Sequence, residues 1–240
     1  MQTLLQIVQA HCVRSGIPVP ASVIGTFDQQ IMQIQGLLEE VGQFLQSEYV
    51  WEFTKRDSTF LSVAAENQGA LTTILGPDAA SYDRIVPATF WDRTLRRPIF
   101  GSVSDKSWNI LKAFIPGGPL YQYRIVGGNL LFNPPPPAND TMALTWISKN
   151  WVTLSGGGSG YVFSNDGDTP MFQDNLMLMG LRAVWMREKG LPYADLFDDF
   201  QRRAENLAGR SNAPASLSMD SSGQQVVPGI FVPAGNWNVR

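Results

Sequence analysis

Asp28-Gln29-Gln30-Ile31-Met32-Gln33-Ile34-Gln35-Gly36-Leu37-Leu38-Glu39-Glu40-Val41-Gly42-Gln43-Phe44-Leu45, and then Tyr49-Val50-Trp51-Glu52-Phe53-Thr54, is where the hydrophobic period of this chain changes. Ile31, Ile34, Leu37, Leu38, Val41 and Leu45 recur at i, i+3, i+4 and i+7, the stripe of an amphipathic helix. Asp28 stands where an N-cap belongs. From Tyr49 the period becomes two: Val50, Glu52 and Thr54 alternate with Trp51 and Phe53, and Phe60, Leu61 and Val63 follow. That alternation predicts a strand.

Upstream, Leu4, Leu5, Val8 and Cys12 predict a first helix, closed by Gly16, Pro18 and Pro20. Downstream, strands are predicted at 71–75, 121–126, 130–132 and 142–147, with Gly127-Gly128-Asn129 as a hairpin turn. Pro134 to Pro137 must leave the sheet, because proline has no N–H for the ladder. A short helix over 104–114, capped by Ser104, is expected to turn Trp108, Leu111 and Ala113 inward. A strong helix follows over 172–189, with Leu176, Met179, Gly180, Ala183 and Val184 on one stripe. Gly190 sits at its C′ position and Pro192 begins the last helix, which carries Asp195, Asp198 and Asp199 early and Arg202 and Arg203 late, matching its macrodipole. The prediction is an α+β protein. A helical bundle forms from N-terminal helices (1–48) and C-terminal helices (171–210) around a β-rich middle (49–170), with an extended arm at 211–240.

Charged residues make up 16% of the 240, against about 25% in a typical soluble domain. With seven Trp and eight Met, that fits either surface buried on oligomerisation or a large monomeric core. A net charge of −3 gives no general attraction for nucleic acid. The single Cys12 and single His11 remove Cys-based zinc sites, multi-His metal sites and the usual triad base, so no metal and no cofactor is expected. Residues 1–13 lack a basic leader, and no run approaches the roughly 20 apolar residues of a membrane span.

Few motifs carry chemistry. Asp166-Gly167-Asp168 begins like a calcium loop, but position twelve is Leu178 where a bidentate Glu is needed, so a turn feeding a helix is the better reading. Gly156-Gly157-Gly158-Ser159-Gly160 lacks the Gly-Lys-Ser/Thr ending of a phosphate-binding loop. A glycosidase-type pair such as Glu39 and Glu48 would need its carboxyls about 5–9.5 Å apart, which the sequence does not fix. Arg84, Arg93, Arg96 and Arg97 form a basic concentration interrupted by Asp83 and Asp92, which points to ion pairs or subunit contacts before phosphate binding. In the last thirty residues, Val226-Val227-Pro228-Gly229-Ile230-Phe231-Val232-Pro233 and Trp237 form an apolar run on a polar linker. Such a run suits docking by strand addition or groove insertion.

The aromatic strings carry a resemblance. Over residues 4–210 the chain resembles the head-to-tail adaptor family of short-tailed bacteriophages, the tail accessory factors beneath the portal. The shared series, in order, is Thr89-Phe90-Trp91-Asp92-Arg93-Thr94, Arg97-Pro98, Gly101, Trp108, Tyr123-Arg124-Ile125, Gly127-Gly128 and Pro134-Pro135. It continues with Ser148-Lys149-Asn150-Trp151, Asp166-Gly167-Asp168-Thr169-Pro170 and Lys189-Gly190-Leu191-Pro192-Tyr193-Ala194. The resemblance implies a non-enzymatic virion protein made in the host cytoplasm, a ring typically of twelve copies at the head–tail junction. It implies a C-terminal arm gripping the portal protein, a tail tube or nozzle protein attached below, and double-stranded DNA passing through the channel without sequence recognition. On this reading Val226, Val227, Ile230, Phe231 and Trp237 are the candidate portal contacts. Gln33, Gln43, Arg93, Arg97, Phe172 and Met186 are the candidate contacts between subunits. Two other functions stand as alternatives: a virion-associated peptidoglycan hydrolase, and a nucleic-acid-binding head protein using the 84–97 region.

Overall fold

Thr3 opens the first helix with a capping box: its hydroxyl accepts from Gln6 N, and Gln6 Oε1 accepts from Thr3 N at 3.1 Å. The computed structural model describes residues 1–113 and 120–211. Its helices are α1 (Leu4–Ser15), α2 (Gln29–Glu48), α3 (Leu71–Ile74), α4 (Asp105–Ala113), α5 (Asp174–Glu188) and α6 (Ala194–Ser211). Asp28 caps α2 as expected, its Oδ1 accepting from Gln30 N at 2.9 Å. Gly190, at φ 68°, closes α5 in a Schellman motif: Leu191 N donates to Met186 O and Gly190 N to Arg187 O. The last helix begins at Ala194, two residues after the predicted Pro192.

α1, α2, α5 and α6 form one helical body, with α5 packed against the other three. That placement explains why α5 buries Met177, Leu178 and Leu181 beyond the predicted stripe. Two glycines let the helices close. A Cβ on Gly180 would stand 2.6 Å from Val41 Cγ1 and 2.7 Å from Phe200 Cε2, and one on Gly42 would overlap the Trp151 ring.

The strands are β1 (Lys55–Leu61), β2 (Asn67–Ala70), β3 (Tyr82–Ile85), β4 (Trp91–Asp92), β5 (Arg97–Pro98), β6 (Phe100–Gly101), β7 (Gln122–Val126), β8 (Asn129–Asn133), β9 (Thr141–Ser148), β10 (Val152–Thr153), β11 (Ser159–Gly160) and β12 (Thr169–Pro170). β9 is the central strand of the first sheet. It pairs antiparallel with β1 (Lys55↔Ile147 to Leu61↔Thr141) on one side and with β3 and β4 on the other. The second sheet runs β2-β8-β7-β6. Its β7–β8 hairpin turns on Gly127 and Gly128, both at positive φ as a two-residue type I′ turn requires. β8 ends at Asn133, immediately before the prolines. The two sheets share a core of Phe90, Tyr121, Tyr123, Leu130, Phe132, Met142, Leu144 and Trp146.

The α+β architecture is as predicted; several elements differ. Residues 49–54 are not strand. Trp51 and Phe53 stack on each other at 5.8 Å and both meet Phe172, so two residues of like parity enter the helical core through a 3₁₀ turn (Glu52–Thr54) instead of lining one face of a sheet. The predicted strand at 71–75 is helix α3, because Leu71, Ile74 and Leu75 bury together at i, i+3, i+4 spacing. In α4 Ser104 caps as predicted, with its Oγ accepting from Ser107 N at 3.3 Å, but only Trp108 is buried. Leu111 is half-buried and Ala113 exposed. The 49–170 middle also divides: Trp151, Val152 and Phe163 join the helical core, and the core between the sheets spans residues 71–146.

Candidate interaction surface

The aromatic strings build the protein's own cores. Phe90 packs on Tyr123 at 5.1 Å, Trp146 Nε1 donates to Ser58 Oγ at 2.9 Å, and Trp151 lies edge-on to Phe163 at 5.2 Å. Phe172 is likewise core, 1% exposed against Trp51, Phe53 and Trp151, which corrects its assignment as a subunit contact. It lies just before α5, where the entering chain is pulled inward by three aromatic neighbours.

The other expected contact residues lie at the surface in separate places. Gln43 is exposed on α2, and Gln33 is half-buried there, accepting from Lys189 Nζ at 3.0 Å. Met186 is half-buried in an open groove with Arg182, Leu191, Pro192 and Tyr193 at the α5–α6 corner. Arg93 is exposed, and Arg97 stacks over the Tyr121 ring at 5.4 Å. Asp92, beside Arg93, is fully buried and its Oδ1 accepts from Leu95 N at 2.9 Å, which fixes the turn that presents Arg93, Leu95 and Arg96 outward. Arg84 is tied to Asp83 at 2.6 Å and to Ser47 O, while Arg93 and Arg96 line one pocket with Asp57, Thr89 and Trp91. Val226, Val227, Ile230, Phe231 and Trp237 lie outside the described residues.

The Asp-Gly-Asp string is a clasp. Asp168, fully buried, accepts from Ser155 N, Ser164 N, Ser164 Oγ and Asn165 N at 2.7–3.0 Å. Burial alone would raise its pKa; the donors outweigh that and hold it at about 2. Asp166 Oδ1 accepts from Val23 N and Ile24 N. The backbone carbonyls of Asp168 and Asp166 accept from Leu4 N and Leu5 N, in the first turn of α1. Oxygens that a calcium loop would offer to a cation are thus occupied by N–H groups. Glu39 and Glu48, nine residues apart on one helix, are separated by about 13 Å along its axis, beyond the range of a glycosidase pair. His11 is buried edge-on to Trp185 at 5.5 Å, and its pKa is pushed down to about 4 by burial and by Arg14 and Arg182.

The surface feature with no local signal in the sequence lies at one end of the bundle. Val13, Val19, Phe27 and Met32 around the α1–α2 connection, and Leu191 and Tyr193 at the α5–α6 corner, are all exposed. The Lys189–Gln33 hydrogen bond brings the second group to the same end. Phe27 and Met32 occupy the N′ and N4 positions of α2, where a hydrophobic staple would join them. Yet Phe27 is 97% exposed, so the staple is open. Among the described residues no helix is long and apolar enough to cross a membrane. The sequence matches no protein-family model and no curated protein.

Proposed function

We propose that this chain is a structural virion protein, a head-to-tail adaptor that forms a ring beneath the portal. The ring would close the DNA-filled head, attach the tail tube or nozzle, and line part of the ejection channel. The observation that carries the reading is the apolar bundle end, Val13, Val19, Phe27, Met32, Leu191 and Tyr193, left in water by a subunit whose aromatic strings are already spent on its own core. Concentrated exposed apolar side chains mark association surfaces. The colinear aromatic series supports the same class.

Assembly follows from linkage. A copy joining a ring seeded on the portal gains two lateral contacts and one portal contact together, so individually weak contacts add through effective concentration. Residues 212–240, with Val226, Val227, Ile230, Phe231 and Trp237, would supply the portal contact. Electron microscopy of the chain mixed with its portal tests the proposal: a ring at the portal's tail side is expected. A chain that stays monomeric and unbound there overturns it. Removal of residues 212–240 should abolish portal binding and leave the thermal unfolding of residues 1–211 intact.

A further inference from the structure

Among the described residues β1 is an edge strand: its seven residues pair in unbroken antiparallel register with β9 alone. Arg93 N and Val86 N donate to Thr141 O and Thr145 O from the far side of β9, and Ser62 N donates to Asp140 O from the near side. The odd-numbered residues of β9 therefore bond away from β1, and the even-numbered ones bond toward it. Through the register, Arg56, Ser58 and Phe60 are bonded to β9, while Asp57, Thr59 and Leu61 turn their N–H and C=O groups to the open side.

Sheet edges are usually blunted by charge, proline or a bulge. β1 has no proline and no break in register, and its charges sit in its first three residues. Lys55 pairs with Glu52, and Arg56 donates to Phe53 O and Lys55 O, so both cations are engaged with residues 52–55. Ser58-Thr59-Phe60-Leu61 is uncharged, and Leu61 is 60% exposed. The described chain ends beside this strand. Ser211, the last residue of α6, accepts through Oγ from Glu52 N at 3.1 Å, three residues before β1. Residues 212–225 then lead to Val226-Val227-Pro228-Gly229-Ile230-Phe231-Val232, a run of the same length as β1. The far end of β1 lies within about 30 Å of Glu52, and the chain from Ser211 to Val226 can span about 50 Å.

We propose that residues 226–232 add to the open edge of β1 in the same chain as an antiparallel strand, the direction of every pair in this sheet. The prolines fix the parity. Pro228 has no N–H, so it stands at an outward position, and Val227, Gly229 and Phe231 bond to β1. The next bonding position is Pro233, where the strand must stop. Val226, Ile230 and Val232 then share the inner face with Phe60, which packs against the core between the sheets, and Val227 and Phe231 share the outer face with Leu61. The tether selects this occupant: the run meets its own edge at an effective concentration on the order of millimolar, above that of another copy or a foreign strand. An added edge strand opens locally before the body unfolds, so the unfolding of residues 1–211 does not rest on it. The seat belongs to the isolated chain and does not depend on the ring reading; capture of the same run by a portal would vacate it.

Amide hydrogen exchange of the full chain, followed by nuclear magnetic resonance, tests the added strand. The N–H groups of Asp57, Thr59 and Leu61 should exchange at least roughly tenfold more slowly in native protein than in Gly229→Pro, which removes the central bonding N–H. Gly229→Ala should keep the native rates. Arg56, Ser58 and Phe60, already bonded to β9, should not change in either variant. Equal exchange at Asp57, Thr59 and Leu61 in native protein and Gly229→Pro overturns strand addition. The protection should be independent of protein concentration; protection that appears only as concentration rises assigns the strand to another copy and overturns the intrachain seat.

Discussion

At the scale of single residues, two buried titratable groups make the fold less stable in the same direction, as pH falls, but in different pH ranges. Asp168 is held at about 2 by its ring of donors, so its contribution is complete above the ordinary carboxylate range and is lost as pH falls through about 2. Asp168→Asn replaces an acceptor by an amide that faces N–H groups. It should destabilise the fold by about 2–4 kcal/mol at neutral pH, read as a shift in the urea midpoint. His11 acts in the same direction at higher pH. Its folded pKa is about 4, below the usual 6.5, so the unfolded chain takes up the proton first and stability falls as pH drops from 6.5 toward 4. The full difference is roughly 3 kcal/mol. In denaturant titrations between pH 7 and 5, native protein should lose stability and His11→Phe should remain nearly flat; equal slopes would refute the buried neutral imidazole. Neither role is fully legible in the sequence: Ser164, Asn165 and Arg14 are near neighbours, but Ser155 and Arg182 arrive from further along the chain. The preference for a turn over a calcium loop is legible, because the missing Glu is a local fact.

At the scale of elements, α2 offers a matched pair of glycines. A Cβ added at Gly36 would meet no atom within 4 Å, whereas the space beside Gly42 is filled by the Trp151 ring. Gly36→Ala should stabilise by about 0.5–1 kcal/mol through helix propensity, and Gly42→Ala should destabilise by about 1–3 kcal/mol through overpacking, both measured by thermal unfolding. Helices α1, α2 and α5 are legible in their 3.6-residue stripes because those stripes are what the core buries, and α6 in the acid-to-arginine order of its charges. The failures share one cause. Where Trp51 and Phe53 or Leu71 and Ile74 are drawn to a core by partners far along the chain, packing overrides the local period.

At the scale of the whole molecule, the surface is more informative than the interior. Phe27→Ser should leave unfolding free energy within about 0.5 kcal/mol of native, because the ring is 97% exposed. The same change should lower self-association in sedimentation, and a variant that associates as tightly as native would remove the apolar bundle end from the interface. The expected contact residues Gln43, Met186 and Arg93 do sit at the surface, but Phe172 does not, and no rule of sequence could separate them. Phe172 and Met186 both belong to amphipathic stretches, and only the packed neighbours tell which side remains for a partner.

Local sequence is enough for the α+β class, the four principal helices, the Asp28 and Gly190 caps, the Gly127-Gly128 hairpin and the break at the prolines, since all depend on neighbours within one or two turns. It is not enough for three further facts, which come from the packed chain alone. The aromatic strings divide between two cores, Asp166 and Asp168 clasp α1 to the loop before α5, and exposed apolar side chains from two helix connections meet at one end of the bundle. Each of these depends on which distant segments meet, and burial of apolar area, summed over the whole chain, is what chooses the meeting.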